Sequence, residues 1–252
     1  MSNNPAHSVI ISDLHLSAQR PDLCEAFKTF CETTASKACA LYILGDLADA
    51  WVGDDDDSET ARLITQTLTA LNQSGTHVYL MTGNRDFLMG EQLATQCGIH
   101  LLPDPSCKTL HGHELLLMHG DSLCTGDDEY MAFRAQIQNP ATAALLMSKP
   151  LEERRQIAQM LRSKSQSANS NKAEDIMDVT QAEVQQALQQ HSVKTLIHGH
   201  THRPDVHQLT LQDGSPATRY VLGDWNTKGW MITVDEQSIE LSNFSLEANT
   251  HD

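Results

Sequence analysis

The chain has 252 residues, 40% hydrophobic and 20% charged, which suits one generous soluble domain with a full core. Its formal net charge of −16 argues against the broad basic face that long nucleic acid requires. No run approaches the ~20 apolar residues of a membrane span, and the six cysteines form no C-x-x-C pair behind a start without secretory features, so a reducing, cytoplasmic setting is expected.

Short aliphatic runs alternate with longer helical stretches. Val9–Ser12 reads as a strand, Glu25–Ser36 as a helix, Leu41–Leu44 as a strand, Glu59–Gln73 as a helix and His77–Thr82 as a third strand. This β-α-β-α-β order predicts parallel strands joined by crossover helices. Asp54–Asp57, between two of these elements, reads as a solvated acidic loop. Ile99–Leu102 is a further short strand, and Cys107–Leu110 with Glu114–His119 reads as a hairpin around His111-Gly112-His113. From Asp127 to about Gln190 the pattern is helical or irregular. Strands resume at Thr195–His198, followed by antiparallel candidates at Val206–Gln212, Arg219–Leu222, Met231–Val234 and Ile239–Phe244, with Asp213-Gly214 as a turn. A helical block interrupting an α/β core predicts an insertion folded over one end of that core.

Five segments sit at the C-terminal ends of predicted strands: Asp13-Leu14-His15, Gly45-Asp46, Gly83-Asn84-Arg85-Asp86, His119-Gly120-Asp121 and His198-Gly199-His200-Thr201-His202. Strand C-terminal ends converge on the ligand crevice of an open α/β sheet. Residues at i and i+2 of an extended chain point the same way, so Asp13 and His15 can share one ion, as can His200 and His202. Imidazole, carboxylate and amide donors together suit Mn²⁺, with Fe²⁺, Co²⁺ or Zn²⁺ as alternatives. Two such ions clamp a phosphoryl group. Each segment alone is weak, and the other nine of the 13 histidines read as surface or core; five segments in one order carry the reading.

In this order, D-x-H, G-D, G-N-x-D, H-G-D and G-H-T-H resemble the calcineurin-type metallophosphoesterase superfamily. Within it, Ile11–Leu16, Leu41–Asp46, Gly83–Leu88, Ala168–Lys172 and Leu196–Pro204 resemble the bacterial family that hydrolyses UDP-2,3-diacylglucosamine in lipid A and lipopolysaccharide biosynthesis. The resemblance covers residues 8–246. It implies a four-layered αββα core at 1–126 and 192–246, a helical cap inserted at 127–191, and a tail at 247–252. It implies that Asp13, His15 and His202 hold one metal ion, that Asn84, His119 and His200 hold the other, and that Asp46 bridges both, usually with Mn²⁺. Asp46, Asn84, Arg85 and His119 are the catalytic candidates it implies. Asn84, Arg85, Asp127, Ser165, Asn169, Lys172 and His200 would touch the glucosamine phosphate. The implied protein is a monomer held peripherally on the cytoplasmic face of the inner membrane. Gly223-Asp224-Trp225 departs from the pattern, which more often has a small residue before the Trp.

Arg85 stands where many members of that superfamily carry a histidine able to protonate a leaving alkoxide. Arginine stays charged and is a poor acid, but it pairs well with phosphate oxygens. A phosphate monoester needs no such acid to leave, because its last ionisation lies near pH ~6. Arg85 therefore favours cleavage of a pyrophosphate, with attack on the α-phosphorus of a UDP-sugar lipid yielding UMP and the lipid 1-phosphate. Residues Lys149–Lys172 hold six basic side chains against two acidic ones, after an apolar stretch at Ala141–Met147. A basic, partly apolar cap is expected to meet an anionic lipid.

Overall fold

The computed structural model describes residues 6–169 and 178–246, with side chains at all of these except 164–169. Strand and helix alternate through the first part of the chain: β1 (Ser8–Ile11), α1 (Pro21–Thr33), β2 (Ala40–Leu44), α2 (Glu59–Gln73), β3 (His77–Met81), α3 (Glu91–Cys97) and β4 (His100–Leu102). A hairpin follows, β5 (Ser106–Leu110) and β6 (His113–Met118), and then α4 (Asp128–Ile137), α5 (Pro140–Met147), α6 (Leu151–Asn169) and α7 (Gln181–Gln190). The chain closes with β7 (Thr195–His198), β8 (Asp205–Thr210), β9 (Pro216–Val221), β10 (Lys228–Val234) and β11 (Ile239–Ser245).

Local chemistry accounts for most boundaries. The Ser58 hydroxyl accepts from Ala61 N at the start of α2, and Ile64, Leu68 and Leu71 line one face of that helix. Helix α1 begins earlier than expected, at Pro21 rather than Glu25, because proline at the first helical position gives up only an N–H that would be orphaned anyway. Helix α3 was not anticipated. It ends on Gly98 in the left-handed region (φ 67°), and its first turn is capped from far away, the Asp54 carboxylate accepting from Gly90 N at 3.0 Å and Leu93 N at 2.9 Å.

The first sheet has the order β11-β10-β1-β2-β3-β4, parallel from β1 to β4 and antiparallel where β10 and β11 are added. The second has the order β5-β6-β7-β9-β8, with β6, β7 and β9 parallel. Ile10, Tyr42, Leu44 and Met81 of the first sheet meet Leu115, Leu117 and Ile197 of the second between the sheets. Phe27, Ile64, Leu68 and Leu93 of α1–α3 cover the outer face of the first sheet. Val184 and Leu188 of α7 cover the outer face of the second, against Leu116, Met118 and Leu196. The result is the four-layered αββα core. Thus α7 packs as a core layer, and α4–α6 are the helices that lie over the strand ends.

The acidic run is solvated only in part: Asp55 and Asp57 are exposed, yet the run also makes specific contacts. Asp54 serves α3 and also accepts from Trp51 Nε1 at 3.0 Å. Asp55 pairs with Arg154, and Asp56 pairs with Arg155 at 2.6 Å, so this run staples α6 to the core. Arg162 pairs with Asp49 at 2.6 Å and Lys149 with Glu153. Four of the six basic groups of the cap segment are therefore matched by carboxylates. The reason is tertiary: the two runs lie about a hundred positions apart and meet only when α6 folds across the β2–α2 loop.

Candidate metal centre

The five segments follow β1, β2, β3, β6 and β7 and meet where the C-terminal ends of both sheets converge. The chain must turn within one or two residues at each strand end. Among the described residues, seven non-glycine residues have positive φ, and five of them are site residues: Asp13 (56°), His15 (49°), Asp46 (52°), His200 (66°) and His202 (56°). Such backbone is sparsely populated and persists only where surrounding contacts enforce it. Glycine is needed beside these turns. A Cβ on Gly83 would run into the Asp46 carboxylate, and one on Gly199 into the Asp13 carboxylate and the Ser12 hydroxyl.

The donor atoms form two overlapping groups, Asp13 with His15 and His202, and Asp13 with Asp46 and His119, each within 4.8 Å. His15 Nε2 and His202 Nε2 are 3.2 Å apart, and His202 Nε2 is 3.5 Å from Asp13 Oδ1. Asp46 lies between the halves, 4.0 Å from His15 Nδ1 and 3.8 Å from His119 Nε2. Asn84 Oδ1 is 3.1 Å from both His119 Nε2 and His200 Nδ1. All seven sequence-predicted donors thus share one small volume. Asp13 and His119 are buried completely and Asp46 almost so.

Their electrostatics call for a cation. Burial opposes ionisation of Asp13, yet the close approach and charge of His202, with the charges of His119 and His15, hold its carboxyl well below the usual range. Burial pushes Asp46 up to about 7, with Asp86 and Asp13 adding to the rise and His119 opposing it. Burial pushes His15 and His200 down to about 3, leaving them neutral as a metal ligand must be. His119 is driven the other way, to about 10, because Asp46, Asp121 and Asp13 overrule its burial. Asp13 Oδ1 and His15 Nδ1 are buried with no hydrogen-bond partner among the described residues. Orphaned donors on a carboxylate–imidazole cluster fit divalent ions.

The surroundings hold the cluster in place. His119 Nδ1 faces Leu44 O at 2.9 Å, which turns Nε2 toward the site, the arrangement usual for a ligating histidine. Asp46 Oδ1 accepts from Arg85 N at 2.8 Å, and Asp13 Oδ2 accepts from His200 N at 2.9 Å. Asp86, grouped in its segment but given no role, is fully buried and accepts from Gly83 N and Leu47 N at 2.6 and 2.7 Å. Asp121 accepts from Arg134 Nε at 2.8 Å and the Tyr130 hydroxyl at 3.2 Å, and the Tyr130 ring lies 5.3 Å from that of His200. Asp224, the departure from the family pattern, sits 3.7 Å from His202 Nδ1. The signal for these was present, acidic residues beside ligand candidates, but nothing local distinguished buttress from bystander.

A cleft of about 220 Å³ opens over the cluster, its lining including His15, Asp46, Asn84, Arg85, His200 and His202 together with Asp127, Tyr130 and Arg203. Asp127 also caps α4, accepting from Tyr130 N at 2.9 Å. Asn84 and Arg85 are shared with an apolar slot beneath α6, lined by Trp51, Phe87, Phe133, Ile157 and Leu161. Ser165 and Asn169 fall on the last turns of α6 and Lys172 beyond it; the side chains of all three lie outside the described residues.

Comparison with known proteins agrees with this geometry. Residues 7–204 match the family model described as calcineurin-like phosphoesterase. The chain is 48% identical over 243 residues to a UDP-2,3-diacylglucosamine hydrolase of Chromohalobacter salexigens, covering 96% of this chain and 98% of the relative. It is equally similar, at 48%, to proteins of the same name from Pseudomonas aeruginosa (94% and 99% covered) and Azotobacter vinelandii (95% and 99%). The chain belongs to the calcineurin-like phosphoesterase family.

Proposed function

We propose that this chain hydrolyses the pyrophosphate of UDP-2,3-diacylglucosamine in lipid A biosynthesis, releasing UMP and 2,3-diacylglucosamine 1-phosphate. The observation that carries the reading is a seven-donor cluster joined, across Asn84 and Arg85, to an apolar slot. In this reading the charged chemistry lies beside a mainly apolar slot toward which the acyl chains would run. The relatives' names point to the same substrate.

Asp13, His15 and His202 would hold one ion and Asn84, His119 and His200 the other, with Asp46 between them; Mn²⁺ suits this donor set. When bound, the two ions supply Lewis acidity to the phosphoryl oxygens and acidify the attacking water. The water oxygen bonds to the α-phosphorus, the bond to the bridging oxygen breaks, and that oxygen departs with the lipid 1-phosphate. Arg85 pairs with the departing phosphate and offers no proton, which this leaving group does not need. Asp127, Ser165, Asn169, Lys172 and His200 would orient the glucosamine phosphate.

Residues 127–191 form the insertion of this reading, and α4–α6 act as its cap. No helix among the described residues is long and apolar enough to cross a membrane. Exposed Leu145, Met147 and Met160 on α5 and α6 favour peripheral contact with the cytoplasmic face of the inner membrane, by a monomer. The test is UMP release from UDP-2,3-diacylglucosamine with Mn²⁺, with and without EDTA. EDTA-sensitive release that Asp46→Ala abolishes is expected. Mn²⁺-dependent cleavage of a generic phosphodiester without UMP release would keep the metal site and overturn the substrate.

A further inference from the structure

Asp224 lies in the turn between β9 and β10, and that turn is fixed at three points. Trp225 N donates to Asp13 O at 3.0 Å, which ties the turn to the backbone of a donor residue. The Trp225 ring is 2% exposed and edge-on to Phe30, and its Nε1 donates to Trp230 O at 3.1 Å. Arg20 donates to both Asn226 Oδ1 and Asn226 O at 3.1 Å. The backbone of Asp224 is thus placed before any ion arrives.

Its side chain has one ion pair among the described residues, with His202: Asp224 Oδ2 lies 3.7 Å from His202 Nδ1. The opposite ring nitrogen, Nε2, faces the cluster, 3.5 Å from Asp13 Oδ1 and 3.2 Å from His15 Nε2. One imidazole therefore spans from a carboxylate outside the donor set to the donors themselves. The other three histidines differ. His119 Nδ1 faces the Leu44 carbonyl, whereas His200 Nδ1 faces Asn84 and His15 Nδ1 lies 4.0 Å from Asp46, both of them donors. A carboxylate on the far nitrogen keeps the proton there and leaves the lone pair of the near one free for a metal. The separation is about 0.8 Å longer than a hydrogen bond, and the side chains of His202 and Asp224 are 37% and 32% exposed. Solvent screening therefore keeps the effect modest.

We infer that Asp224 is a positioning residue for the first ion, fixing the tautomer and aim of His202 so that Nε2 is presented beside Asp13 and His15. The inference rests on the two-ion reading of the cluster. It gives the two ions unequal support, a neutral carbonyl behind His119 for one and a carboxylate behind His202 for the other.

Calorimetric titration of Mn²⁺ into the EDTA-stripped full chain tests it. The wild type is expected to take up two ions, and His15→Ala identifies the step that belongs to the first. Asp224→Asn is expected to weaken that step roughly tenfold and to leave the other within about twofold. Asp224→Glu, one methylene longer and still a carboxylate, is expected to recover the affinity to within about threefold. Equal weakening of both steps, weakening of neither, or a loss that Asp224→Glu leaves in place would overturn the assignment. A wild type that binds fewer than two ions overturns the two-ion reading, and this one with it.

Discussion

Asp86 shows how much of a metal centre depends on a residue that holds no metal. Its carboxylate gathers the backbone N–H groups of Leu47 and Gly83, with longer contacts to Asp46 N at 3.3 Å and Ala48 N at 3.4 Å. It thereby ties the turn after β2 to the turn after β3, and so places Asp46 against Asn84. Burial raises its pKa, and the Gly83 amide, the charge of His119, and the Leu47 and Ala48 amides oppose that rise. Asp86→Asn keeps the shape but turns one acceptor into a donor facing other donors. The expected cost is about 2–3 kcal/mol in urea denaturation, with Mn²⁺ affinity lowered roughly 10- to 100-fold. Unchanged Mn²⁺ affinity in a titration would remove Asp86 from this positioning role.

At the scale of elements, α6 and the β2–α2 loop behave as one unit. Arg154 is 4% exposed, donates to Val52 O and to Lys149 O at 3.1 Å, and pairs with Asp55. Helix α5 beside it buries none of its residues, so little apolar packing secures this end of the cap. Arg154→Ala strands two carbonyls and releases α6 locally. Amide exchange across 151–163 is expected to rise roughly tenfold or more while the global unfolding midpoint hardly moves. A large drop in the midpoint with no local change in exchange would mean that α6 is part of the cooperative core. Neither charge run hinted at this pairing, because each is locally consistent with a solvated face. Helix α3 was hidden for a related reason: seven residues are too few for a periodic signal, and its cap, Asp54, comes from another segment.

For the whole molecule, the metal cluster joins the ends of two sheets and bears directly on stability. Ions that bind only the folded chain stabilise it by about 2.7 kcal/mol at a hundredfold excess over Kd, or on the order of 5–10 °C for a domain of this size. Stripping with EDTA is expected to lower the calorimetric midpoint by that order, and Mn²⁺ to restore it. The increment also depends on pH, with a definite sign. His119 in the metal-free cluster is driven to about 10, so it carries a proton that an entering ion must displace. Raising the pH favours that release, so the Mn²⁺ increment is expected to be larger at pH 8 than at pH 6. An increment independent of pH would mean that the ion does not displace a proton from His119.

The sequence by itself determined what is local. Short aliphatic runs marked β1, β2 and β3 and a longer helical stretch marked α2; Asp13-x-His15 and His200-x-His202 drew attention as pairs on an extended chain, although all four residues have positive φ and reach the cluster through turns. The order of the five segments then pointed to one crevice, and their side chains do meet there. Only the tertiary structure decided that β10 and β11 join the first sheet beside β1, that α7 seals the second sheet, and that Asp86, Asp121 and Asp224 stand behind the donors. It alone paired the acidic run with the arginines of α6. The physical reason is common to all of these. Most are contacts between segments tens to hundreds of residues apart, and even the nearer ones, such as Asp121 with Tyr130 and Arg134, leave no period, cap or spacing in the local sequence.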